Sequence, residues 1–168
     1  LSSWNPNANT QSTSSASSSI VLGRRLIYSH HSISKTKRAD KRNLASHYKL
    51  TGYVKIGWPG IVILEGRDDD CNACYDDMRK WAWKYLVVRG EMQEKVPSSG
   101  DNHTSVDSKR LFPTFLETDD MSSVANHCRE VGLESLFRTS MKVYANGGLK
   151  NGKDDDDDHD QEHDYDEH

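Results

Sequence analysis

Apolar residues recur at strand-like and helix-like spacings between residues 24 and 144 and are sparse outside that stretch. The run Leu26-Ile27-Tyr28 predicts a first strand over Arg25–Ile33. Because apolar residues then recur at helical spacing, a helix is predicted to begin within Lys35–Arg42. Its expected N-cap is Thr36 or Asp40, and its expected buried side carries Leu44, His47 and Tyr48.

The next segment is predicted to form a β-hairpin. Residues alternate between apolar and polar over Tyr53–Trp58, as in a strand with two different faces. Gly57-Trp58-Pro59-Gly60 has the composition of a tight turn. Ile61–Leu64 is continuously apolar, which is typical of a central strand that is covered on both sides.

A second helix is predicted after Gly66, with Asp68, Asp69 and Asp70 placed favourably for the helix dipole in its first turn. A further strand is predicted at Tyr85–Val88. The order of elements up to this point is therefore strand, helix, strand, strand, helix, strand. This is the βαββαβ plan of an α+β ferredoxin-like sandwich.

A C-terminal strand and helix extension is expected beyond this unit. Pro97–Ser108 resembles a polar loop, and Leu111–Glu117 a short edge strand that contains a proline. Asp119 or Asp120 is expected to cap a helix, which continues as Leu133–Met141 after a break at Gly132. The first of these helices carries the apolar residues Met121, Val124, Ala125 and Cys128.

Composition and charge divide the 168 residues into three parts. Residues 1–23 are predicted to be a disordered Ser-rich linker, residues 24–145 the ferredoxin-like domain with its extension, and residues 146–168 a disordered acidic tail. Ten acidic residues face two lysines over Lys150–His168, a net charge of −8, so residues 1–149 carry +4 of the overall −4. The acidic tail therefore masks, in the overall net charge, a basic domain that favours an anionic partner.

Positive charge is concentrated at the end of the first strand and the start of the first helix. A polyanion could be held there by backbone N–H groups and by cationic side chains, and RNA is the first candidate. The alternative is a solvated charged face. The candidate nucleic-acid-binding residues are His30, His31, Lys35, Lys37, Arg38, Lys41 and Arg42.

Other chemistry receives less support from the sequence. The predicted central strand Ile61–Leu64 lacks the stacking aromatics of an RNA-recognition motif, so binding should depend on charge and shape. Cys71 and Cys74 have the spacing of half a zinc site, but they lie on the apolar stripe of their helix, which favours core packing. Trp58, Trp81 and Trp83 could form an aromatic platform, although core packing is the commoner role.

Neither catalysis nor a resident cofactor or metal is expected. The histidines do not fall in a nucleophile elbow or a zinc-protease motif, and the glycines do not form a phosphate-binding loop. Neither a signal peptide nor a membrane span is expected, because the first residues are polar and no apolar run reaches membrane-spanning length. Three cysteines cannot all pair, so a reducing cytoplasmic or nuclear location is expected. The protein is also expected to be a monomer.

Three segments resemble a eukaryotic domain when they are taken together in order and spacing: YSHHSISKTKR, GYVKIGWPGIVILEG and MRKWAWKYLVVRGE. The domain follows RWD domains in the RWD-domain-containing protein 2 family and forms the C-terminal domain of the spliceosomal pre-mRNA-processing factor 3. The resemblance covers residues 24 to 141. It implies a ferredoxin-like fold, a preceding RWD domain and, for the splicing relatives, contact with small nuclear RNA.

The function predicted from these observations is therefore a non-catalytic binding module with RNA as its ligand. The alternative is a protein-interaction module that works with an RWD domain lying outside this chain.

Overall fold

A computed structural model describes residues 19–30, 35–98 and 102–142. The described part contains five strands and five α-helices, and a short 3₁₀ helix, Thr139–Met141, ends it. The strands are β1 Ser19–Ser29, β2 Thr51–Lys55, β3 Gly60–Arg67, β4 Leu86–Pro97 and β5 Phe115–Thr118. The helices are α1 Lys35–His47, α2 Asp68–Arg79, α3 Asn102–Asp107, α4 Met121–Glu130 and α5 Glu134–Arg138.

The strands form one sheet in the order β4-β1-β3-β2-β5. β1 lies antiparallel to both β3 and β4, β2 lies antiparallel to β3, and β5 adds to β2 in parallel at the edge. The first four strands and their two helices have the connectivity of a ferredoxin-like fold. The predicted α+β fold class is confirmed, and so is the β2–β3 hairpin.

Both faces of the sheet are covered. Ile27, Val62 and Leu64 face a core that includes Ala45 of α1 and Cys71 of α2. On the other face, residues of β1, β2 and β3 pack against the C-terminal extension. That second core contains Leu26, Tyr53, Ile61, Ile63, Phe112, Val124, Cys128, Leu133, Leu136 and Phe137. The predicted burial of Ile61–Leu64 on both sides is confirmed, because alternate residues of this run belong to opposite cores.

Several element boundaries differ from the prediction. β1 begins at Ser19 rather than at Arg25, and the start of the strand is held by a small cluster of Leu22, Val96 and Val106. β4 runs to Pro97, and helix α3 occupies part of the stretch predicted to be a polar loop. The apolar run Ile20-Val21-Leu22 belongs to β1, which corrects the predicted disordered linker over residues 1–23 at its C-terminal end. The later part of β4 and helix α3 have little apolar periodicity of their own, so tertiary packing rather than local pattern sets their limits.

The remaining helices agree closely with the sequence pattern. Asp120 caps α4, and its carboxylate accepts hydrogen bonds from the backbone N–H groups of Ser122 and Ser123. Gly132 adopts a positive φ of 79° between α4 and α5, at the predicted break. On α1, Leu44 and Tyr48 pack against the core, whereas His47 is exposed, which corrects its predicted burial. Thr36 and Asp40 lie within α1, so neither precedes it as an N-cap.

A buried ion pair fastens the loop before β5 to the sheet. Glu65 of β3 is fully buried and accepts a hydrogen bond from Nε of Arg24 on β1 at 2.8 Å. The same carboxylate accepts hydrogen bonds from the backbone N–H groups of Leu111 and Phe112. Glu65 therefore joins two strands and the approach to β5 at one point.

Candidate nucleic-acid interface

One end of the sheet carries two exposed aromatic side chains beside cationic ones, and we call this end the tip. β1, β2 and β5 end there, while β3 and β4 begin there. Helix α1 follows β1 closely in the chain, so its first turn also starts near this end. The tip is defined by His30, Arg38, Trp58, Tyr85 and Glu117.

Trp58 projects from the turn between β2 and β3 and is 66% exposed. The ammonium group of Lys55, a buried residue, donates hydrogen bonds to the carbonyl oxygens of Trp58 and Pro59 at 3.1 and 3.0 Å. These two bonds brace the turn from beneath. The indole is therefore presented to solvent on a supported backbone.

A second aromatic group lies at the start of β4. Tyr85 is 40% exposed, and its ring stacks on that of His30 with the centroids 4.8 Å apart. Tyr28 meets Tyr85 edge to face at 6.0 Å, and the guanidinium of Arg89 lies 3.5 Å from the centre of the Tyr28 ring. Packing thus fixes the orientation of the Tyr85 ring.

Arg38 and Arg42, two of the predicted cations, converge on one carboxylate. Nη2 and Nε of Arg38 lie 2.5 and 3.2 Å from Oε1 of Glu117 on β5. Nη1 of Arg42 lies 3.7 Å from the other oxygen, Oε2. The side chains of Arg38, Arg42 and Glu117 are 32%, 53% and 19% exposed, so all three border solvent.

The burial of Lys41 corrects its prediction as a nucleic-acid-binding residue. The residue is 1% exposed, and its ammonium lies 5.2 Å from the centre of the Trp83 ring. Lys41 and Ala45 are spaced at i and i+4, so they lie on the same, inward face of α1. Lys41 therefore supports the packing of α1 and is not available for surface contact.

The remaining predicted residues divide in two. His30 lies at the tip in contact with Tyr85. His31 lies outside the described residues, as do the side chains of Lys35 and Lys37, although the backbone of both lysines belongs to α1.

Trp58, Trp81 and Trp83, the tryptophans in the described part of the chain, do not form one platform. Trp81 and Trp83 stack on each other at 6.2 Å and pack against the core beneath α1 and α2. Nε1 of Trp83 donates to the carbonyl of Met78, as expected of a core indole with a satisfied polar tip. Trp58 departs from this packing role because it stays in solvent.

All three cysteines are buried, which confirms their expected role in core packing. Burial raises the pKa of Cys71 and Cys74 to about 12 and that of Cys128 to about 11. Buried, protonated thiols are poor nucleophiles and poor metal ligands. No group of three potential metal-binding side chains occurs within residues 19–30, 35–98 and 102–142.

A groove of about 720 Å³ opens toward the opposite end of the sheet, between the end of α1 and the approach to β5. Arg42, Lys49 and Arg110 contribute its positive charge. The guanidinium of Arg110 is already held by Asp107 and by the carbonyl oxygens of Lys49 and Glu65. Arg110 therefore has a structural role here, and the more exposed cations are Arg42 and Lys49.

Sequence reasoning missed Glu117 and Tyr85 as parts of the site. Glu117 lies 79 positions from Arg38 in the chain, so no local pattern could connect them. Tyr85 was assigned to a strand, whereas its exposure depends on how β4 begins beside β1. A signal did exist for Trp58, since a tryptophan inside a Gly-Trp-Pro-Gly turn cannot easily reach the core.

No family model matches the chain. The phomoidride biosynthesis cluster protein F of Fungal sp. (strain ATCC 74256) is 32% identical over 94 residues, which cover 55% of this chain and 30% of that relative's length. Among solved structures, an acylphosphatase from Coxiella burnetii is 14% identical, with a TM-score of 0.36, over 59% of this chain and 94% of its own. The acylphosphatase from Bacillus subtilis is 16% identical, with a TM-score of 0.35, over 58% of this chain and 98% of its own.

Within the described part of the chain, none of the helices is long and apolar enough to cross a membrane.

Proposed function

We propose that this domain is a non-catalytic module that binds single-stranded RNA at the tip. The observation that carries the proposal is the shared location of exposed aromatic rings and cations. Trp58 and Tyr85 lie at the same end of the sheet as Arg38 and the first turn of α1. Stacking platforms next to positive charge are the usual means by which proteins hold single-stranded nucleic acid.

The two kinds of side chain have different tasks in this proposal. Base stacking on an aromatic ring contributes about 1–3 kcal/mol per base and tolerates any sequence. The backbone phosphates would follow Arg38 and Arg42 along α1 toward Lys49, which lies just beyond the end of the helix. A strand bound in this way would be read by charge and shape more than by base identity.

Because helices cover the sheet face that an RNA-recognition motif would leave open, we place the binding site at the tip and not on the sheet surface. An RNA-recognition motif binds bases on an open sheet face through aromatics on its central strands. Here α4 and α5 cover that face, and the aliphatic residues Leu26, Ile61 and Ile63 fill it.

Two features favour binding over catalysis. The three thiols are buried and keep their protons, as their raised pKa values indicate. The imidazoles of His30 and His127 pack against aromatic rings, His30 on Tyr85 and His127 on Phe112. The resemblance to the C-terminal domain of pre-mRNA-processing factor 3 also favours RNA as the ligand.

Titration of fluorescent single-stranded RNA into the Trp58→Ala and Trp58→Phe variants tests this proposal. We expect Trp58→Ala to weaken binding by roughly five- to 150-fold, the equivalent of one lost stacking contact. Trp58→Phe should retain most of the affinity, because phenylalanine keeps a ring at the same place. Equal affinities for all three proteins, or no RNA binding by the wild type, would overturn the proposal.

A protein-interaction module is the second candidate, and exposed apolar side chains favour it. Trp58, Tyr85 and Met141 are the large hydrophobic residues exposed in the described part of the chain. Aromatic residues of this kind often anchor protein interfaces. Purification with and without nuclease separates the candidates: partners lost after nuclease indicate RNA, and a partner that remains but is lost from Trp58→Ala indicates a protein.

A further inference from the structure

We propose that Glu117 is an internal competitor for the phosphate site that Arg38 and Arg42 form, so that a backbone phosphate of single-stranded RNA binds by displacing it. This inference rests on the proposed function. It identifies Glu117 as a residue that limits the affinity of the tip for RNA. Glu117 belongs to β5, which lies outside the βαββαβ unit.

Glu117 occupies the position that a bound phosphate would take. Its Oε1 accepts hydrogen bonds from Nε and Nη2 of Arg38, the donors with which arginine commonly binds oxyanions. Arg42, one helical turn further along α1, approaches Oε2 without reaching hydrogen-bond distance, at 3.7 Å. A carboxylate of the chain itself thus stands between the two guanidinium groups.

The carboxylate fills this place incompletely. Both hydrogen bonds from Arg38 end on one oxygen, and Oε2 is buried without a hydrogen-bond partner. Arg38 and Arg42 also share this single carboxylate as their partner. A tetrahedral phosphate offers more acceptor oxygens and can bridge both arginines, so it can satisfy donors that Glu117 leaves free.

Space is available for the exchange. A cavity of about 320 Å³ adjoins the ion pair and is lined by Arg38, Ile56, Glu117, Thr118 and Asp119. Asp119 and Glu117 both repel an incoming phosphate. The phosphate therefore gains attraction from Arg38 only if the Arg38–Glu117 contact opens. The ion pair borders solvent, and such pairs are weak enough to be exchanged by a ligand.

The test is the RNA affinity of Glu117→Gln, which keeps the side-chain shape and removes the charge. We expect RNA to bind roughly two- to five-fold tighter than to the wild type, the range that release of one bordering ion pair allows. If Arg38 gains a phosphate contact, the slope of log affinity against log salt should steepen by about 0.7.

Glu134→Gln is the matched control. Glu134 also lies between two arginines, 3.8 Å from Arg129 and 3.9 Å from Arg138, and its replacement changes the net charge equally. It belongs to α5 rather than to the tip, so its effect on affinity should be smaller than that of Glu117→Gln. Circular dichroism and thermal melting establish that each variant is folded.

The double variant Arg38→Ala/Glu117→Gln completes the cycle. It should bind RNA no better than Arg38→Ala alone, because without the Arg38 guanidinium Glu117 has no phosphate-binding group to occupy. If the wild type binds RNA and Glu117→Gln behaves like Glu134→Gln, the inference fails while the proposed function stands. If Glu117→Gln tightens binding but Trp58→Ala has no effect, the competition by Glu117 stands, while the proposed stacking of RNA at the tip is overturned. If neither the wild type nor any variant binds RNA, both are overturned.

Discussion

At the scale of single residues, burial decides which positive charges remain available to a ligand. Arg24 and Arg25 on β1 are buried and are held by Glu65 and Asp68 respectively. Lys41 is buried beneath α1 against Trp83. Arg38 and Arg42, on the same helix as Lys41, border solvent. A count of lysines and arginines therefore overstates the binding surface.

Replacement of Glu65 by Ala tests how much the buried ion pair contributes to stability. The change would leave the guanidinium of Arg24 buried without its main partner and would remove the acceptor for the N–H groups of Leu111 and Phe112. We expect the free energy of unfolding to fall by about 3–5 kcal/mol, as when one partner of a buried pair is removed. Chemical denaturation provides the measurement.

Glu94→Ala is the control for that experiment, since Glu94 pairs with the same arginine at 3.4 Å but is half exposed. Its loss should cost at most about 1 kcal/mol. Similar losses from both variants would show that the network through Glu65 is no stronger than a surface pair.

At the scale of elements, the C-terminal extension is part of the core. A ferredoxin-like sheet has helices on one face, and here α4 and α5 close the other. Their inward residues, among them Val124, Leu133 and Leu136, pack on Leu26 and Ile63 of the sheet. Gly90 on β4 lies so close to α5 and the 3₁₀ helix that an added Cβ would stand 2.9 Å from Leu136 and nearer still to Thr139. The extension is therefore fitted tightly to the sheet.

Leu136→Ala should consequently destabilise the whole domain. Leu136 is buried between α5 and the sheet, and its truncation removes apolar contacts and leaves a cavity. We expect a loss of about 2–5 kcal/mol in the free energy of unfolding. Met141→Ala, in the same extension but at a site 60% exposed, should change stability by no more than about 0.5 kcal/mol. A cooperative transition unchanged by Leu136→Ala would mean that the extension unfolds separately.

At the scale of the whole molecule, charge is divided between the domain and the C-terminal end of the sequence. Residues 1–149 carry a net +4 and Lys150–His168 a net −8. Negative charge tethered to the domain weakens the attraction between the cations of the domain and RNA. It does so by lowering the overall electrostatic potential, and also by direct contact with those cations. The overall charge of −4 therefore understates how well the domain itself suits a polyanion.

Deletion of Asp154–His168 should strengthen RNA binding, because it removes ten acidic residues and no lysine or arginine. The gain should be largest at low salt and should shrink as screening increases toward 1 M, where the Debye length falls to about 3 Å. Affinities measured across a salt series for the full and shortened chains provide the test. A shortened chain that binds RNA no better at low salt would contradict competition by the tail.

Local pattern was enough to predict much of the fold. The alternation over Tyr53–Trp58, the continuous apolar run Ile61–Leu64 and the acidic start of α2 each indicated an element that the structure contains. Their order predicted the βαββαβ unit, because a period of two or of 3.6 residues needs only neighbouring positions to become visible. The cap at Asp120 and the break at Gly132 were predicted for the same reason.

What depends on distant contacts could only be decided by the tertiary structure. β1 extends back to Ser19 because its first residues pack with β4 and α3, far along the chain. Lys41 is buried although lysine is usually exposed, because the Trp83 ring attracts its ammonium group and its aliphatic stem favours an apolar environment. The contact of Arg38 with Glu117 depends on the packing of α1 beside β5, and the location of Trp58 and Tyr85 at the same end of the sheet depends on the strand order. Sequence thus determined the elements and the excess of positive charge, while packing between remote segments determined which charges and rings a ligand could reach.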